Sequence, residues 1–87
     1  MKPTLDELEQ RDLLGSATRC ANAYGLSLVD TFAPTRQRPA PEARAAFYAH
    51  LRDEGWSLPR IGAFVGRHHT TVLSALRAHP TAVEARK

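Results

Sequence analysis

Leu5, Leu8, Leu13, Ala17, Cys20, Ala21 and Tyr24 recur at near-helical spacing, so a single apolar stripe predicts an opening helical segment that reaches Tyr24. Thr4 stands ahead of it as a cap, and Glu7, three residues on, has the reach to complete a capping box. Gly15-Ser16 is the expected bend or break, and Gly25 the end. Ser27 then caps a short turn of helix through Leu28, Val29 and Phe32, after which the prolines of the stretch from Ala33 to Pro41 forbid regular structure. A second long helix is predicted from about Pro41 through Ala45, Ala46, Phe47, Tyr48 and Leu51 to Asp53, with Gly55 as its breaker. Ser57 caps a third, with Pro59 in its first turn and Leu58, Ile61, Phe64 and Val65 facing inward. Gly66 supplies a tight turn. The last helix begins near His68 or His69, buries Val72, Leu73 and Leu76, and stops before Pro80. No segment sustains strand-like alternation, so the fold class is all-α, and the two helices around Gly66 predict a helix-turn-helix unit.

Size and charge narrow the function. The 87 residues make one small domain whose modest core leaves little for an elaborate active-site cavity. Cys20 is the single cysteine; it forms no internal disulfide, which fits a reducing compartment, and it reads as a small packed hydrophobe. No run reaches the eighteen or so apolar residues of a membrane span and no signal peptide precedes the acidic start, so a cytoplasmic location is expected. Met1 ahead of a capped acidic helix is the expected start of a complete small protein. Residues 1–30 hold three basic residues against five acidic ones, whereas residues 31–87 hold nine against four. Eight of those nine are arginines, whose planar fork suits phosphates and guanine edges.

The stretch Gly66-Arg67-His68-His69-Thr70-Thr71-Val72-Leu73 concentrates the remaining chemistry. Helical ligands to one metal need a spacing of three or four residues, and the adjacent His68 and His69 diverge by about 100°. Their spacing opposes zinc, and no metal or other cofactor is expected. Nucleophilic catalysis by Thr70 or Thr71 lacks a nearby orienting carboxylate, so no enzyme is expected either. A helix start welcomes phosphate, hydroxyls bond phosphates or base edges, and a threonine methyl packs on that of thymine. Thr70, Ser74 and Arg77 fall at i, i+4 and i+7, forming a polar stripe opposite Val72, Leu73 and Leu76 that is able to enter a major groove.

These residues resemble the C-terminal DNA-binding domain of the bacterial chromosomal replication initiator DnaA. That family's signature runs approximately S-L-P-E-I-G, a short apolar stretch, then G-R-D-H-T-T-V-L-H-A. Here the chain reads Ser57-Leu58-Pro59-Arg60-Ile61-Gly62, Ala63-Phe64-Val65, then Gly66 through Ala75 as Gly-Arg-His-His-Thr-Thr-Val-Leu-Ser-Ala. Upstream, Ala23-Tyr24-Gly25-Leu26-Ser27-Leu28 resembles the family's segment before its basic loop, whose place Arg36-Gln37-Arg38-Pro39 takes. The resemblance spans residues 17–78 and is strongest over 57–75. It implies an all-α domain with a Trp-repressor-like helix-turn-helix that binds a short asymmetric duplex box as a monomer. By it, His69 and Thr70 meet base edges in the major groove, Thr71 meets base or phosphate, and Arg38 reaches the neighbouring minor groove, with Arg36 or Arg44 as alternatives.

His68 stands where the family has aspartate, which removes an acidic acceptor and a strong cap; with Ser74 it completes the expected base contacts. The turn is one residue shorter than the commonest family pattern. Arg60 replaces an acidic residue and joins Arg67, Arg77 and Arg44 as expected phosphate contacts. No G-x-x-x-x-G-K-[ST] loop is present, so the initiator's nucleotide-driven activity does not carry over. The expected organisation is a capped helical segment over 1–16, the initiator-like domain over 17–80 and a flexible tail over 81–87. The expected function is sequence-specific binding of double-stranded DNA at an initiator-type box, in the nucleoid, with a regulatory role in replication or transcription. The alternative is a protein-interaction module whose acidic first helix docks replication or transcription proteins through Leu5, Leu8 and Leu13.

Overall fold

A computed structural model describes residues 3–85, and the side chains of residues 3–82. The chain is all-α: α1 (Leu5–Gln10), α2 (Leu14–Ala23), α3 (Leu28–Phe32), α4 (Ala40–Asp53), α5 (Leu58–Val65), α6 (His69–Ala78) and α7 (Pro80–Ala85), with no strand among the described residues. Hydroxyl caps start three of them. Thr4 Oγ1 accepts the Glu7 N–H at 3.1 Å, Ser27 Oγ that of Asp30 at 3.1 Å, and Ser57 Oγ that of Arg60 at 3.2 Å.

One stop motif recurs at four helix ends. A backbone N–H reaches back five residues to a carbonyl, from Leu13 to Leu8 (2.7 Å), Leu26 to Ala21 (3.0 Å), Trp56 to Leu51 (3.0 Å) and Arg67 to Gly62 (2.8 Å). The residue before each donor takes a positive φ; it is glycine at three ends and Asp12, at 58°, at the first. The opening stripe is therefore cut at Asp12 and not at Gly15-Ser16, and Gly15 lies in the first turn of α2. Asp12 adopts the left-handed conformation that a short polar side chain tolerates better than most.

The core forms around α4. Ala43, Ala45, Ala46, Phe47, Tyr48, Ala49 and Leu51 are buried in it, covering nearly the whole circumference, as befits a helix that packs against α2, α3, α5, α6 and α7. Its alanines let neighbours approach closely, while Phe47 meets Phe32 edge to face at 5.4 Å. The acidic N-terminal segment also contributes to the core: Leu8 in α1 is 0% and Leu13, just before α2, 6% exposed, so of the three leucines available for docking a partner only Leu5, at 53%, remains outside.

The expected tail is different. Pro80 begins α7, a position where its missing N–H costs no helical bond, and Ala82 is buried where α7 returns onto α4 and α6. Residues 86 and 87 lie outside the described residues. No helix among the described residues is long and apolar enough to cross a membrane.

Candidate nucleic-acid interface

α5 and α6 pack against each other across Gly66-Arg67-His68. Gly66 closes α5 at φ 74°, a left-handed conformation natural to a residue without Cβ. Gly62, one turn back in α5, is buried beneath the turn: a Cβ there would stand 2.5 Å from the Arg67 carbonyl oxygen and 3.2 Å from the His69 nitrogen. The glycine thus sets how closely the start of α6 approaches α5.

His68 caps α6. Its Nδ1 accepts the Thr70 backbone N–H at 3.2 Å and lies 2.8 Å from Thr70 Oγ1, so the imidazole itself supplies a cap at this helix start, where a histidine was expected to leave a weak one. The bond from the Thr70 N–H uses Nδ1 as the acceptor nitrogen of the ring. The His69 ring lies beside it, centroids 4.2 Å apart. Along α6, Val72 is fully buried and Leu73 and Leu76 partly so, whereas His68, His69, Thr70, Thr71, Ser74 and Arg77 are exposed. The front of the helix offers imidazole, hydroxyl and guanidinium groups on a rigid element, and Arg77 sits in its last turn, where a cation complements the helix dipole.

The loop between α3 and α4 is held by Arg44. Its Nη1 donates to the carbonyls of Thr31 and Ala33, each at 3.0 Å, and its Nη2 to that of Thr35 at 2.6 Å. Burial lowers the Arg44 pKa, opposed by Tyr48 and assisted by nearby Arg67. Arg44 therefore supports the loop with both terminal nitrogens of its guanidinium while still lining the cleft between loop and α6. Arg36 stays exposed on that loop. Arg38 is also exposed, with Nε donating to Glu42 Oε2 at 2.9 Å; this bond holds the guanidinium still more firmly protonated. The other oxygen of Glu42 is buried without a hydrogen-bond partner and faces His79 Nδ1 at 3.8 Å.

Loop and helix meet in one cleft of ≈ 330 Å³, to which Arg36 comes from the loop, Arg44 from α4, and Arg67, Thr71 and Ala75 from the turn and α6. Tyr48 forms part of its wall, and burial raises its pKa more than Arg44 and Arg67 lower it. Arg60 is exposed at the start of α5 with its guanidinium 3.9 Å from the centroid of the Trp56 ring, and Arg11 approaches the same ring at 5.5 Å. Stacking on the ring restricts the Arg60 guanidinium. The Trp56 contacts carried no signal in the residue pattern. Compared with known proteins, the chain matches no family model and no solved structure.

Proposed function

We propose that the chain is a non-enzymatic, sequence-specific binder of double-stranded DNA. α5 and α6 act as a helix-turn-helix and the α3–α4 loop as a minor-groove arm at a site resembling the replication initiator's box. The role is regulatory, in replication or transcription. His69, Thr70, Thr71 and Ser74, with His68 at the cap, meet base edges; Arg36 and Arg38 enter the adjoining minor groove; Arg60, Arg67 and Arg77 meet phosphates. The supporting observation is the shared cleft, where Arg36, Arg67 and Thr71 converge from two elements, so groups on the loop and on the exposed front of α6 address one extended polyanion. Bases are read by the uncharged donors and the backbone is held by the arginines.

Selection of bound duplexes from a random pool tests this directly, with the enriched sequence expected to resemble an initiator box. On that sequence, His69→Ala or Thr70→Ala costs about 1–3 kcal/mol of binding and changes little on random duplex. Arg67→Ala weakens all duplexes alike and lowers the salt slope by about 1. Equal losses on selected and random DNA for the α6 variants, or no salt-sensitive complex at all, would overturn the proposal.

A further inference from the structure

On the opposite side of α4 lies a second cavity, of ≈ 540 Å³, between α2, α4 and α7. The α4 residues Arg44 and Tyr48 line the first cleft, and Ala46 and His50 line this one. Two residues of offset on a helix amount to about 200°, so the cavities open on opposite faces. Ala23, Ala46 and Ala82 form the apolar walls; methyl groups from three helices leave room that longer side chains would occupy. The volume is that of a small-molecule site.

The polar rim is selective. Arg19, Ser16, Cys20, Tyr24 and His50 complete the lining, and no carboxylate belongs to it among the described residues. Arg19 is partly ordered by Ser16, whose Oγ accepts from Nη2 at 3.4 Å. The Tyr24 hydroxyl is a donor at neutral pH, as a phenol ordinarily is, and burial, with smaller contributions from Glu42 and Cys20, raises its pKa further. His50 Nε2 lies 3.8 Å from Glu54 Oε1, whose side chain is more exposed than that of His50. One guanidinium fork beside hydroxyl, imidazole and alanine side chains balances the charge of a single carboxylate on a compact apolar body in one bidentate contact, whereas a phosphate dianion would keep an uncompensated charge.

We infer that this cavity binds a small aromatic or branched monocarboxylate, its carboxylate on Arg19 and its body between Ala23, Ala46 and Ala82. Because Ala82 belongs to α7, an occupant also ties α7 to α4. The test is a titration of the full chain, without DNA, with sodium benzoate at constant ionic strength, read by amide chemical shifts and thermal denaturation; benzyl alcohol is the neutral comparator. Benzoate produces saturable shifts grouped at Arg19, Tyr24, His50 and Ala82 and raises the melting temperature, while benzyl alcohol binds at least tenfold more weakly. Arg19→Gln weakens benzoate at least tenfold, and Ala23→Leu, at an exposed position on the cavity wall, blocks it in a folded protein. Shifts that never saturate, that centre on the start of α6, or that persist equally in both variants would overturn the inference. The measurement involves no duplex, so its failure leaves the DNA reading untouched, and the reverse holds.

Discussion

A methyl group at Gly62 would fall 2.5 Å from a backbone carbonyl, and backbone cannot swing aside as a flexible side chain does. Gly62→Ala is therefore expected to destabilise the fold by about 1–3 kcal/mol through overpacking, measured by urea unfolding. Gly15→Ala is the matched control: nothing lies within 4 Å of its Cβ position and the site is helical, so the change is neutral or stabilising by up to about 1 kcal/mol. At this scale the sequence was partly legible. The exposed stripe of Thr70, Ser74 and Arg77 followed from helical spacing alone. The acceptor role of His68 did not, because the same imidazole serves as donor or acceptor according to its tautomer. Nor did the commitment of Arg44, whose partners lie 9 to 13 residues away and are brought to it only by tertiary folding.

Helix α1 illustrates how an element that is acidic on its surface still belongs to the interior. Leu8→Ala is expected to cost about 2–5 kcal/mol, most of the margin of a domain this small, whereas Leu5→Ala stays within about 0.5 kcal/mol; thermal melts of the two variants check the contrast. Comparable losses for both would indicate that α1 is held by its outer face. Helix starts were legible wherever Thr4, Ser27 or Ser57 supplied a hydroxyl. Two boundaries were not. Asp12 carries no glycine signal, yet it takes the left-handed position that ends α1, and Pro80 reads as a terminator after α6 although the same locked φ suits the opening of α7.

Taken whole, the molecule places its ionisable tyrosines where burial governs them. The Tyr48 phenol is held above its ordinary pKa of 10.0, so the native state favours the protonated form more than the unfolded chain does. That contribution to stability is fully present below the unfolded value and is lost as pH rises through the native one. Melting temperature should accordingly fall above about pH 10, and Tyr48→Phe should flatten that alkaline limb; an unchanged limb would assign the loss to other groups. The three carbonyls gathered by Arg44 have a further consequence. A loop already fixed by its own domain surrenders its conformational freedom when the protein folds, not when a ligand arrives. Arg36 and Arg38 are thus carried on a shaped scaffold, so the binding proposed for them would begin from a nearly rigid hand.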